Sequence, residues 1–209
     1  PVIGGLLTGS VGWQGIFMIL LFIGILLGIG CIRFKESLPA EKRSKTGVWA
    51  TFRSFGIIVH NRRYMLYVFQ LAFAQGILFA YIASSPFIIQ QHYGFSPFAF
   101  SICFAVNAVA IGVAAALSVK FRRTENGTLT GCVGMLVFAV LQMAALYSGC
   151  GFWTYELLMF ALLFMMGLTF TASTTLAMDC ERRYAGAASA LLGALCFASG
   201  GIVSPLVGL

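Results

Sequence analysis

Charge is what this chain has least of. Charged residues make up 9% of its 209 residues, against 60% hydrophobic ones. A water-soluble domain of this length needs far more charge to coat its surface, so the composition excludes one and predicts a membrane protein. Histidine is nearly absent: His60 and His92 stand far apart, and no CxxC, HExxH, Walker or GxSxG pattern occurs. The six cysteines, Cys31, Cys103, Cys132, Cys150, Cys180 and Cys196, show neither paired nor metal-type spacing. Most lie inside apolar runs, where a thiol behaves as a small hydrophobe. No catalytic residue, metal ligand or cofactor is expected, and the chain does not read as an enzyme.

Long apolar runs are what fills the space. A spanning helix needs about 20 mostly apolar residues, and six runs qualify: Gly15–Ile32, Tyr64–Ser85, Phe98–Val119, Gly127–Ser148, Thr154–Met178 and Ala185–Leu209. They are continuous rather than alternating, which argues against strands, since an open sheet in lipid leaves backbone groups unpaired. The expected fold is therefore all-α, a polytopic transmembrane helix bundle. Pro1–Gly9 is too short to span and reads as the tail of a preceding helix. The 24 glycines suit close helix packing in lipid.

The few charges are sorted by side. All 13 Lys and Arg fall within Arg33–Arg63, Lys120–Arg123 and Arg182–Arg183. The alternate connections, Ser10–Gln14, Pro86–Pro97 and Gly149–Trp153, have none. By the positive-inside rule the basic segments, 33–63, 120–126 and 179–184, are expected in the cytoplasm of a multi-pass protein. The net charge of +7 is then a topology signal and not a nucleic-acid footprint. Within the first segment, "KESLPAEKRSKTG" is polar and broken by Pro39 and Gly47, so irregular structure is expected. "VWATFRSFGIIV" then sets Val48, Phe52, Phe55 and Val59 along one helical stripe. A helix over 48–59, lying on the inner membrane surface or packed on the ends of the spans, is expected.

Particular motifs sharpen this. "PVIGG", followed by "GWQGIF", a span and then "KESLP", resembles the fifth and sixth helices of a major facilitator superfamily drug exporter. There a Gly/Pro-rich antiporter motif ends in Pro-x-x-Gly-Gly and Gly-Trp-Arg-x-Ile-Phe follows. Here Gln14 replaces the usual Arg and Ser37 the usual Thr. "ASSPFIIQQHYGFSPFAFSICFAVNAVAI" and "YAGAASALLGALCFASGGIVSPLVG" are similar to later helices of the Bcr/CflA drug-resistance branch. The resemblance implies a twelve-helix transporter in two six-helix halves. On that map residues 1–32 hold the end of helix 5 and helix 6. Residues 33–63 form the linker, and 64–209 hold helices 7 to 11 of the second half. Helices 1 to 4 and 12 fall outside.

The resemblance also implies a function: export of drugs or other small amphipathic compounds across a bacterial inner membrane in exchange for protons. Its partners would be the lipid bilayer, the substrate and protons, with a monomer as the working unit. An uptake permease or metabolite exporter of the same architecture, or a truncated product that transports nothing, stays open. The antiporter motif assigns gating to Pro1, Gly4 and Gly5, and its echo at Pro205 and Gly208 sits in the equivalent helix of the second half. For Gly200 and Gly201 plain packing is equally good.

Polar residues inside spans face the bundle or a cavity, because lipid cannot satisfy them. Gln70 and Tyr81 lie only about 20° apart on one helix face, and Asn107 sits near mid-span. With Met165 and Thr169 of the fifth full span, these are the candidate substrate-binding residues, each open to the alternative of bonding a neighbouring helix. For Lys120, Arg122 and Arg123 two readings stay open: pairing with Asp179 or Glu181 across the basic face, or a topology signal alone. No acid is expected deep in a span: Glu156 reads as an interfacial cap. The resemblance then places the proton-coupling carboxylate in the N-terminal half, outside these residues.

Overall fold

The computed structural model describes residues 2–34 and 48–207. Among them are seven α-helices and no strand: α1 (Val2–Ile32), α2 (Val48–Val59), α3 (Arg62–Pro86), α4 (Pro97–Ser118), α5 (Thr124–Tyr147), α6 (Phe152–Cys180) and α7 (Ala185–Val207). Six stretches are long and apolar enough to cross a membrane: Val11–Ile32, Arg62–His92, Pro97–Ser118, Thr124–Tyr147, Phe152–Cys180 and Arg182–Val207. The architecture is a transmembrane helical bundle. Large apolar side chains such as Phe73, Leu136, Met143, Leu157 and Phe197 stand exposed along these helices, which suits hydrocarbon and not water.

α1 is helical on both sides of one break. Gly12 adopts φ 65°, ψ 179°, a conformation that a Cβ would obstruct, so the chain turns there without a longer loop. Beyond it, Trp13 meets Phe17 edge to face at 6.2 Å, and the helix runs to Ile32 with most of its side chains exposed; α1 as a whole touches α4.

The other helices form the packed body. α6 is central, contacting α3, α4 and α5, while α7 packs on α3. Small residues set the spacing. A Cβ at Gly167 of α6 would strike the Ile111 carbonyl of α4, and one at Gly131 of α5 would strike the Met165 carbonyl and the Thr169 backbone of α6. The helices therefore meet backbone to backbone, where packing and short polar bonds hold helices together in lipid. Gly200 of α7 meets instead the Phe79 ring of α3.

Local chemistry fixes the ends. Asn61 caps α3, its side chain accepting from the Tyr64 N–H at 3.3 Å. Ser96 caps α4 the same way through Ala99, with Pro97 in the first turn. At its other end α3 does not stop near Pro86, where the sequence suggested a loop. It continues into a widened turn, Phe87–His92, closed by a bond from the Tyr93 N–H to the Ile88 carbonyl at 3.1 Å. Proline lacks the N–H that continues an ordinary helix, and a wider turn absorbs that loss without leaving the membrane. The connection to α4 thus shrinks from Pro86–Pro97 to a short turn at Tyr93–Ser96.

The end carrying Arg62, Arg63, Lys120 and Arg182 is the basic end of the bundle. There α2 packs on α3 and α7 through Ile58, buried with Tyr64, Val68, Ala177 and Ala188. Phe52 and Val59 of the expected stripe stay exposed. The Tyr64 hydroxyl donates to the Ala188 carbonyl at 2.6 Å, tying α3 to α7. At the far end the Tyr93 hydroxyl donates to the Cys150 carbonyl at 2.9 Å, beside Phe152. Burial, then the Cys150 contact, pushes that phenol up to about 12.

Candidate functional site

Among the described residues, the interior side chains that bond one another across helices gather into two groups. The first joins α3, α5 and α6. Gln70 Nε2 donates to Thr169 Oγ1 at 3.1 Å, and the Thr169 hydroxyl in turn donates to the Thr128 carbonyl at 3.2 Å. Thr128 and Ser173 hydroxyls lie 3.2 Å apart, and Cys132 Sγ is 3.4 Å from Thr169. Thr169 is fully buried. Met165, one turn earlier, is half-buried against Gly134. Gln70 also lines a hollow of about 450 Å³ between α3 and α5, otherwise walled by apolar groups such as Phe69, Phe73, Met135 and Leu136. The Gln70 Oε1 is buried with no hydrogen-bond partner.

A second hollow, about 410 Å³, opens between α3 and α7 and shares Phe73 and Ile77 with the first. Its polar contribution is Ser199, whose hydroxyl is turned to the Ala72 carbonyl at 2.6 Å. These α3 side chains therefore border apolar space on both flanks. Pockets of this kind take ligands by apolar contact and fix them through a few polar groups.

The second polar group lies some 16 Å further along α3, by the rise of a helix over eleven residues. Asn107 of α4, fully buried, donates through Nδ2 to the Tyr81 hydroxyl at 3.0 Å and to Glu156 Oε1 at 2.9 Å. The Tyr81 ring stacks on Phe104 with centroids 5.6 Å apart. Tyr81 and Asn107 are brought together, but with each other and Glu156 and not with Gln70.

Glu156 corrects the sequence reading. It makes no cap bond at the α6 start: one turn in, its half-buried side chain reaches Asn107 of α4. Trp153 and Leu157 take the outward face, while Tyr155, Met159 and Leu163 face inward with it. Its partner Asn107 stands ten residues into α4, about 15 Å from that helix's start. A long side chain can thus bond well beyond the level of its own backbone. The signal was present: Glu156, Met159 and Leu163 share a face at i, i+3 and i+7. Thr128 and Gln142 were also missed, although both are buried polar groups of α5.

At the basic end the expected pairing takes another form. Asp179 bonds Arg182 at 2.9 Å on the exposed surface, and Glu181 accepts from Asn61 Nδ2 at 2.6 Å. Lys120, Arg122 and Arg123 are exposed and form no ion pair with either acid among the described residues. They sit on a turn after α4, whereas both acids face the start of α3. Asp179 instead borders a hollow of about 430 Å³ with Arg63 and Glu125. Of the antiporter motif and its echo, Gly4 and Gly5 lie in the first part of α1 and Pro205 in the last turn of α7. Pro1 and Gly208 lie outside the described residues.

Comparisons with known proteins agree with this architecture. The family model described as Major Facilitator Superfamily matches residues 1–205. An uncharacterized MFS-type transporter of Bacillus subtilis (strain 168), YdgK, is 36% identical over all of this chain and 54% of its own length. A bicyclomycin resistance protein homolog of Haemophilus influenzae is 27% identical over 99% of this chain and 53% of its own length. The chain spans about half the length of the curated relatives it matches. A transmembrane bundle with polar groups held inside it, matched to one family model almost end to end, leads to a single assignment: the chain belongs to the major facilitator superfamily of transporters.

Proposed function

We propose that this chain forms part of a drug exporter of the Bcr/CflA type, which moves small amphipathic compounds out of a bacterial cell in exchange for protons. The basic turns face the cytoplasm in this reading, and the complete transporter works as a monomer in the inner membrane. The observation that carries it is the hollow beside Gln70, an apolar wall with one buried amide oxygen unmatched. Apolar surface accepts varied substrates, and a lone amide orients them without demanding one shape. Thr169 and Met165 stand behind Gln70 as its support. The likeness to a protein named for bicyclomycin resistance supports the same substrate class. Pro1, Gly4, Gly5, Pro205 and Gly208 act as gating positions, where glycine allows close helix approach and proline bends the axis.

The test uses the complete gene in a pump-deficient bacterium. Accumulation of bicyclomycin and a panel of cationic dyes is followed before and after the proton gradient is collapsed. Lower accumulation that recovers on collapse is expected. Accumulation unchanged across the panel, with the protein shown to be in the membrane, refutes the export reading.

A further inference from the structure

Glu156 is a half-buried acid within a membrane-crossing stretch, bonded across the bundle to a fully buried amide. Oε1 accepts from Asn107 at 2.9 Å. Oε2 is shielded and has no hydrogen-bond partner, as are Asn107 Oδ1 and the Tyr155 hydroxyl beside it. The titratable groups facing the carboxyl are Tyr81 on α3, Cys103 on α4 and Tyr155 on α6 itself. Of the ionisable residues of α5, Glu125 sits at the basic end, Cys132 lies against Thr169, and Tyr147 is exposed. No cation faces Glu156: every described Lys and Arg belongs to the basic segments.

This is a poor home for a fixed charge. Removing a carboxylate from water is costly unless a counter-ion and a full set of donors meet it. One amide donor offsets only part of that cost. A side chain needed only for bonding would serve as well in the form of Gln. An acid half-buried in a polar cluster, with one shielded oxygen left over, is suited to holding a proton while the cluster is closed and releasing it when water enters.

We infer that Glu156 is a proton-carrying carboxyl of the transport cycle, a role that rests on the proton-exchange reading above. When the far side opens to water, the carboxylate takes up one proton and becomes a neutral carboxyl. It keeps that proton while Asn107 and Tyr81 close around it. The proton departs as H⁺ to water when the cluster next opens, restoring the carboxylate.

The experiment uses the full-length transporter in proteoliposomes with ethidium as the probe. Glu156→Gln, a permanently neutral stand-in, is expected to keep ethidium exchange down its own gradient and to lose stimulation by a pH gradient. Glu156→Asp is expected to retain part of that stimulation. Stimulation of Glu156→Gln equal to wild type overturns the inference. Infrared pH titration supplies a readout independent of transport: a protonated-carboxyl band present in the wild type and lost in Glu156→Gln. No such band, or its survival in that variant, overturns the inference. Should Glu156→Gln fail to elute as the native protein, Glu156→Asp carries the test, with a shifted band expected and an unshifted one counting against it. Failure of the export reading looks different. The wild type then moves no probe in response to a pH gradient, while the infrared band still decides whether Glu156 binds the proton.

Discussion

Adding one methyl group at Gly167 is expected to destabilise the bundle, and comparison with three other glycines makes the magnitude testable. A Cβ at Gly167 meets the Ile111 carbonyl oxygen, Ala114 Cβ at 2.9 Å and Ile111 Cα at 3.0 Å, two of which are backbone. At Gly131 it meets Thr169 Cβ at 2.6 Å, with the Met165 carbonyl and the Thr169 nitrogen each at 2.8 Å. Neither neighbour can swing aside, so the helices must part. Overpacking costs about 1–3 kcal/mol, and backbone-limited sites belong at the upper end. Replacing Gly by Ala within a helix returns at most about 1 kcal/mol. The net cost at Gly167 and Gly131 is therefore about 2 kcal/mol each. At Gly200 the obstacle is the Phe79 ring, which can turn, so a smaller loss is expected. At Gly201 nothing lies within 4 Å, and Ala there is neutral or stabilising by up to about 1 kcal/mol. The extremes differ by about 3 kcal/mol, a factor of roughly 100 in the unfolding equilibrium. Reversible unfolding of the full-length transporter in mixed detergent micelles measures all four Gly→Ala variants. A Gly167→Ala protein as stable as Gly201→Ala would refute the packing argument.

Three further outcomes are expected. Asn61→Ala removes both the α3 cap and the bond to Glu181, a loss of about 2 kcal/mol in the same assay; Asn61→Asp restores the cap but opposes Glu181, so it recovers only part. Tyr93 has its phenol raised from 10.0 to about 12. The neutral form is the one the fold favours, so its contribution to stability is complete below pH 10 and lost as pH rises through about 12. Ultraviolet titration of wild type against Tyr93→Phe checks this: a difference already complete by pH 10 would contradict it. Gly4→Leu is expected to insert normally, since a Cβ there has nothing within 4 Å, yet to slow transport; unchanged transport removes Gly4 from the gate.

The spans were legible because length and apolar continuity are local properties, and each of the six runs became a helix within a few residues. Pro86 misled because proline ends most helices in water, whereas in the bundle the chain widens its turn through Phe87–His92 and stays helical. The face shared by Gln70 and Tyr81 was readable from periodicity. Which helix each would touch was not, because nothing in a row of six similar runs states their order in space. Thr169 therefore entered as a separate candidate and proved to be the acceptor from Gln70. Glu156 was misjudged for the same reason: its partner, Asn107, belongs to another helix.

The two kinds of glycine contact also have a mechanical consequence. Where Gly131 and Gly167 set backbone against backbone, a helix cannot slide without first lifting off its neighbour, so α4, α5 and α6 form one stiff block. The α3–α7 pair is joined in another way, by the Phe79 ring on Gly200 and by the bonds from Tyr64 to Ala188 and from Ser199 to Ala72. Any rocking that this chain passes on to the remainder of a transporter should therefore carry the three-helix block as a unit.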